Sequence, residues 1–350
     1  MFMYLDVKPS VVFQTHYRME KIQCYANGAF SVNVKRLQDG EDKLMLADYE
    51  GNFLSALMSA QRGVLLYDLS YILLGEKAVN KFSGSSTVFN GTNPTGKVYD
   101  KKGHVLVSGF EDFKVYQNGW YMLIFKDHKE LYTFDGRLVA KDFIECEVLT
   151  RGHYALRTDS QLYQFGNYKV YNTSSKLVAK YDRVVAFLSD NVVLQKSKED
   201  ETYTLVKGKE ELIFGIVGYK KFFNGKFALT FKNGASAMYD GEANRLSTYT
   251  GKKAVFLPDG TFVSYSQKIV DTRYRSTGLM IKGEIFQCEE ASNYFLLTKE
   301  TKTELYNDEG KVIAENVLLA SVLGNFALFQ KEDRYHLYNQ YGKVIEFNVS

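Results

Sequence analysis

Leu305-Tyr306-Asn307-Asp308-Glu309-Gly310-Lys311-Val312-Ile313 returns 32 residues later as Leu337-Tyr338-Asn339-Gln340-Tyr341-Gly342-Lys343-Val344-Ile345. The shared phrase, Tyr-x-x-x-Gly with a short apolar run behind it, also opens at Tyr99, Tyr132 and Tyr274, and at Tyr171 with Ser175 in the glycine's place. A second phrase, Gly-x-aromatic-small-Leu, runs in phase with it: Gly152-His153-Tyr154-Ala155-Leu156, Gly225-Lys226-Phe227-Ala228-Leu229 and Gly324-Asn325-Phe326-Ala327-Leu328. Looser copies begin at Gly119, Gly260 and Ser292, and Asp190-Asn191-Val192-Val193-Leu194 fills the remaining gap. From 119 to 324 the steps are 33, 38, 35, 35, 32 and 32 residues. A near-constant period of this length marks a tandem array of one supersecondary unit.

Inside a unit, apolar residues alternate with period two, as strands require. The clearest copy reads as a first strand Lys311–Ala314, a second Leu318–Leu323, a third Phe326–Lys331 and a fourth Tyr335–Tyr338, with the Tyr-x-x-x-Gly corner leading on to the next unit. Asn118-Gly119, Asn224-Gly225, Asn233-Gly234, Asp240-Gly241 and Asp259-Gly260 supply residues able to take the positive φ of tight hairpins. Aromatic content of 15% suits pleated, half-buried surfaces, and no segment carries a helical stripe. One small sheet cannot bury both faces, so successive sheets must cover one another. The predicted fold is therefore all-β, a β-propeller of four-stranded antiparallel blades, with an open superhelical stack of sheets as the alternative.

The count is nine or ten motif groups. Upstream, Gly28-Ala29-Phe30-Ser31-Val32 and Gly63-Val64-Leu65-Leu66 read as copies, but 56 residues then separate Gly63 from Gly119. Either a degenerate unit sits near Thr87 to Gly91, or Phe82 to Pro94 is an insertion. Residues 1–350 are expected to be a single repeat-built domain: degenerate repeats over 1–95, clear repeats over 96–342, and a closing strand in 343–350 that pairs with the N-terminal unit.

The formal charge is only +3, with lysines interleaved among acids, whereas a nucleic-acid footprint gathers its cations on one face. The pairs Lys101-Lys102, Lys220-Lys221 and Lys252-Lys253 are the exceptions, and no nucleic-acid partner is expected. No stretch approaches the length of a membrane span, and the N-terminus lacks the basic start and apolar run of a secretory leader, so a cytoplasmic location is expected. Cys24, Cys146 and Cys288 fall on the equivalent strand of three different units, too far apart to bridge, and read as free thiols of a reducing compartment.

With its Tyr-x-x-x-Gly-Lys-Val-Ile corner and its aromatic strand behind a glycine, the unit resembles the bacterial tryptophan-glycine (WG) repeat proteins and, more loosely, other β-propeller repeats. The resemblance covers most of residues 95–345. The namesake dipeptide is absent, since the single tryptophan, Trp120, follows a glycine. It implies an interaction or scaffolding role and carries over no catalytic residue.

A search for chemistry finds little. His104 and His153 occupy variable slots beside Gly103 and Gly152, which suits turn residues better than a catalytic base, and no nucleophile elbow occurs; Ser83-Gly84-Ser85-Ser86 reads as a loop. Asn307-Asp308-Glu309-Gly310 lacks the ligand spacing of a calcium loop, no His/Cys set has zinc spacing, and neither Gly96-Lys97 nor Gly251-Lys252 has a phosphate-loop context. No catalytic residue, metal site or cofactor is assigned. Trp120 and Tyr121 are the candidate binding residues: with Phe113, Tyr116 and Phe125 they read first as packing, and second as a rim anchor for a protein or sugar.

Three functions follow for comparison. The first is a non-enzymatic protein-interaction scaffold with divergent turns as its partner surface. The second is a glycan-binding or glycan-hydrolysing propeller that uses carboxylates such as Asp100, Glu145 or Asp240. The third is a structural subunit of a larger bacterial or phage assembly.

Overall fold

The computed structural model describes residues 3–4, 17–54, 57–75, 95–149, 152–158, 165–198, 200–250, 254–266, 269–274, 280–281, 287–291, 293–299, 302–323, 325–332 and 334–349. Among them every regular element is a strand, and the sheets are antiparallel. The all-β class and the four-stranded antiparallel sheet expected from the repeats are both present. The chain forms two compact units, Met1–Phe143 with Asp333–Ser350, and Ile144–Glu332.

In the first unit one sheet runs Arg62–Leu65, Tyr71–Leu74, Gly96–Tyr99, Val105–Phe110, and the next runs Asp112–Val115, Tyr121–Ile124, Lys129–Tyr132, Leu138–Lys141. Both ends of the chain belong to this unit. The strand Gly342–Val349 pairs on one side with Arg334–Asn339 and on the other with Met3–Tyr4, where Met3 lies opposite Val349. Met3 also lies opposite Met19 in Tyr17–Cys24, which leads through Phe30–Arg36 to Asp42–Ala47.

The second unit joins sheets through shared strands. Leu177–Phe187 pairs with Gly166–Tyr171 up to Val184 and with Val192–Lys196 from Val184 onward. Glu210–Lys221 does the same about Ile216. Each long strand is the last of one sheet and the first of the next, and each turns at a left-handed residue, Arg183 (φ 48°) or Gly215 (φ 72°). Four-stranded sheets then follow from Ala254–Phe256 to Met280–Ile281 and from Gln287–Glu290 to Val312–Glu315, before the pair Leu319–Leu323 and Phe326–Lys331.

The phase of the repeat differs from the sequence reading. Val312–Glu315 pairs with Thr303–Asn307, so the Tyr306 to Gly310 corner is a hairpin inside a sheet and not a link between sheets. The apolar run behind the corner is the fourth strand of its own sheet, as in Val105–Phe110, Leu138–Lys141 and Val312–Glu315. Links between sheets among the described residues instead include the short crossings at Glu111, Asp142 (φ 59°) and Asn316 (φ 57°) and the two bent strands. Gly63 also differs: it lies within Arg62–Leu65, and the loop that matches its sister units is Leu66–Ser70, with Leu69 at φ 67° in the glycine's place. The segment around Phe82 to Pro94 lies outside the described residues; it falls in the chain between Tyr71–Leu74 and Gly96–Tyr99, which pair directly. The extra length of the long step, which is 50 residues when counted from Leu69 to Gly119, therefore falls inside one sheet.

Both recurring phrases use one turn. In the loop before the aromatic strand, Tyr116 N donates to Trp120 O (2.8 Å) and Gly119 N to Tyr116 O (2.9 Å). In the corner, Thr133 N donates to Arg137 O and Gly136 N to Thr133 O, each at 3.0 Å. Each turn ends on a residue of positive φ, which glycine adopts without steric cost. The ladder slips one residue at the corner tyrosine, as between Leu131 and Tyr132 or Leu305 and Tyr306.

Between the two turns, the aromatic of the first phrase and the tyrosine of the second are cross-strand partners. Tyr71 stacks on Tyr99 (4.9 Å between centroids), Tyr121 on Tyr132 (5.1 Å), Tyr154 on Tyr171 (5.3 Å), Phe227 on Tyr239 (5.5 Å) and Phe295 on Tyr306 (4.9 Å). The ladder places each pair directly opposite. Apolar side chains then close the space between successive sheets: Val64, Ile72 and Val98 meet Phe113 and Leu123, while Phe222, Ala228 and Met238 meet Phe256 and Phe262. Each of the larger of these side chains, once removed from water, contributes roughly 1.5–3 kcal/mol.

Candidate functional site

Trp120 and Tyr121 are buried, at 5% and 2% exposed. Tyr121 gives its ring face to Tyr132, and the Trp120 amide donates to Asn118 Oδ1 (3.1 Å). Neither stands at an exposed rim.

The acids weighed for chemistry are held by their turns or neighbours. Asp100 Oδ1 accepts the amides of His104 and Lys102, both at 2.8 Å, and Oδ2 lies 2.9 Å from His104 Nδ1; the His104 amide leads these bonds in holding the carboxyl below its usual range. Asp240 likewise accepts the amides of Glu242 (2.9 Å) and Asn244 (2.8 Å). Glu145 takes a hydrogen bond from the Tyr168 hydroxyl and lies 3.4 Å from Arg157 Nη1. His128 is flanked by Asp127 (2.7 Å) and Glu130 (3.1 Å) and stacked on Phe125, and the Asp127 carboxylate raises its pKa. His336 lies 3.1 Å from Glu346.

Among the described residues no three His, Cys, Asp or Glu side chains gather as a metal site. Cys24, Cys146 and Cys288 form no disulfide; Cys146 and Cys288 lie on the first strands of their sheets, and Cys24 on a strand between Met3–Tyr4 and Phe30–Arg36. Of the lysine pairs, Lys220 meets Glu290 (2.7 Å), and Lys221 lies 3.9 Å from Glu147 and donates to Phe187 O (3.0 Å). Lys101 and Lys102 line an open hollow with Asp68, Asp100 and His104. Lys252-Lys253 and the Ser83 to Ser86 loop lie outside the described residues.

What the repeats did not reveal is a tyrosine patch on the turns of the first unit. Tyr49, Tyr67 and Tyr341 lie inside turn loops, whereas the repeat tyrosines lie at strand ends. The Tyr67 hydroxyl is 3.1 Å from Asn27 O, 3.0 Å from Gln117 O and 3.1 Å from the Tyr341 hydroxyl. Having one proton, it donates to a carbonyl and accepts from Tyr341. Tyr49 stands edge-on to both partners, 5.5 Å from Tyr67 at 89° and 5.4 Å from Tyr341 at 66°. Two glycines permit this approach, since a Cβ on Gly119 would sit 2.3 Å from the Tyr67 ring and one on Gly28 would sit 3.0 Å from the Tyr341 ring. Asn339 Nδ2 adds bonds to Gly28 O (2.9 Å) and Tyr49 O (2.7 Å). Tyr341 remains 58% exposed. The signal available in the sequence was a tyrosine flanked by turn formers, Asp48-Tyr49-Glu50-Gly51 and Gln340-Tyr341-Gly342.

No protein-family model matches the chain, and no curated protein matches it. Solved structures that it resembles include Hsv2 of Kluyveromyces lactis, at 10% identity over 68% of this chain and 97% of that one, with a TM-score of 0.34. The C-terminal WD40 domain of Sif2 overlaps at 10% identity over 100% and 97%, with a TM-score of 0.33. The propeller of Dos1 overlaps at 9% identity over 96% and 93%, with a TM-score of 0.36. Scores this low carry no argument about what the chain binds or does. No helix among the described residues is long and apolar enough to cross a membrane.

Proposed function

We propose that this chain is a non-enzymatic scaffold for protein–protein interaction, a propeller-like array of WG-type repeats working in a reducing compartment. The observation that carries the reading is a division of labour among residues. The repeated aromatics, glycines and turn acids are used up in stacking and turn closure, while Tyr341 stands exposed on a turn whose sister corners carry Lys102, Asp135, Ser174, Thr277 and Glu309 at the equivalent position. That Cys24, Cys146 and Cys288 form no disulfide suits a reducing setting. A photo-crosslinking residue at position 341 tests the reading. The expected result is one discrete crosslinked protein, identified by mass spectrometry, that is absent when the crosslinker replaces Lys176 in the second unit. Absence of any captured protein, together with glycan turnover by the purified chain, would contradict it.

A further inference from the structure

The turns that meet at Tyr67 carry acids and no cation of their own. Residues 25–29, 48–52, 66–70, 116–120 and 339–342 contain Asp48, Glu50 and Asp68 but no lysine or arginine, in a chain whose formal charge is +3. Two of those acids are already engaged. Asp48 Oδ1 accepts the amides of Glu50 (2.9 Å) and Asn52 (2.8 Å), and Asp68 Oδ1 accepts the amide of Ser70 (3.0 Å) while its side chain also faces the hollow of Lys101 and Lys102. Glu50 is exposed; its carboxylate takes a long contact from Asn52 Nδ2 (3.3 Å) and a hydrogen bond from the Tyr49 hydroxyl. Its charge leads the influences that raise the Tyr49 phenol, so carboxylate and ring are neighbours. The nearest cation in sequence, Lys343, is paired with Glu346 at 2.7 Å. Lys114 lies over the Tyr116 ring (4.7 Å) and Arg62 acts on Tyr25, but among the described residues no cation acts on the Tyr49 or Tyr67 phenol, so the patch offers phenol rings, phenol oxygens and one carboxylate.

We infer that the Tyr49, Tyr67 and Tyr341 patch, with Glu50 at its edge, is the docking point for an arginine side chain on a basic segment of a partner protein; this rests on the scaffold reading above. A guanidinium is planar and weakly hydrated, so it lies flat on a phenol ring while its N–H groups reach a carboxylate. An ammonium is a compact, strongly hydrated charge that stacks less well. A neutral sugar would use the rings and leave the carboxylate without its complement.

The probe is a fluorescein-labelled, unstructured peptide of alternating arginine and glycine, titrated with the full chain and followed by anisotropy. Counterparts carry lysine or glutamate in place of arginine. The arginine peptide is expected to bind more tightly than the lysine peptide, with the glutamate peptide unbound. Tyr341→Ala and Glu50→Gln each weaken the arginine peptide by about tenfold or more, while Tyr341→Phe, which keeps the ring, stays within about threefold. Both altered side chains are exposed, and unchanged circular dichroism and melting temperature show that the fold survives. Equal binding of the arginine and glutamate peptides, or binding indifferent to Tyr341→Ala and Glu50→Gln, overturns the inference. So does a sugar ligand that Tyr341→Ala abolishes while the arginine peptide stays unbound. In the crosslinking experiment, a partner still captured at position 341 in the Glu50→Gln background with undiminished yield leaves the scaffold reading standing and this inference refuted.

Discussion

Leu69 holds a left-handed backbone (φ 67°) at the position where sister turns place Gly28, Gly119, Gly152 or Gly225. A Cβ there crowds the following carbonyl and costs about 1–2 kcal/mol. Leu69 is 50% exposed, so little packing is lost with its side chain. Glycine also costs some chain entropy, so Leu69→Gly is expected to raise stability by a net of about 0.5–1 kcal/mol in urea unfolding. Glu304 shows the opposite economy. It is 4% exposed and is held by the Tyr306 hydroxyl (2.6 Å), Lys302 (2.6 Å) and Lys299. Burial opposes its ionisation, but these partners outweigh burial and bring its carboxyl from 4.5 down to about 2. A depressed carboxyl stabilises the fold fully above its unfolded pKa and loses that contribution as pH falls through the folded value. Glu304→Gln should therefore cost about 1–2 kcal/mol at pH 7 and flatten the stability profile between pH 5 and pH 2. An unaltered acid limb would refute the assignment.

At the scale of the hairpin, the two phrases share the backbone turn but differ in its side-chain acceptor. In the loop before the aromatic strand the acceptor takes only the amide two residues ahead, as Asn118 from Trp120 and Asp259 from Thr261, whereas the corner uses two amides. Asp48, Asp100, Asn172, Asp240 and Asn307 each accept the amides two and four residues ahead. That use needs an acceptor oxygen and no charge. Asp240→Asn is expected to stay within about 0.5 kcal/mol of the parent, whereas Asp240→Ala loses about 1–2 kcal/mol. Equal losses in denaturant unfolding would refute the turn role. The period, the strands and the turns were legible because glycine and tyrosine recur at fixed spacing. The phase was not, since four strands of equal polarity can be cut into sheets at any point, and only the ladder shows that the corner lies within one. Leu69 hid its loop by replacing the glycine. Tyr294 looked like the repeat aromatic, but its neighbour Phe295 stacks on Tyr306. The tyrosine patch was illegible for a different reason: its members come from turns far apart in sequence, with no period to connect them.

At the scale of the whole chain, the same stacked pair recurs in both compact units, and the two ends of the chain share one of them. The central claim is that the two recurring phrases are the two halves of a single cross-strand contact. If so, their energetic coupling must be a property of the repeat and appear in either unit. Double-mutant cycles to alanine at Tyr121 with Tyr132, and at Phe227 with Tyr239, measure it directly. The expected coupling is about 0.5–1.5 kcal/mol at both sites. Single losses that add to within about 0.3 kcal/mol at both sites would contradict the account.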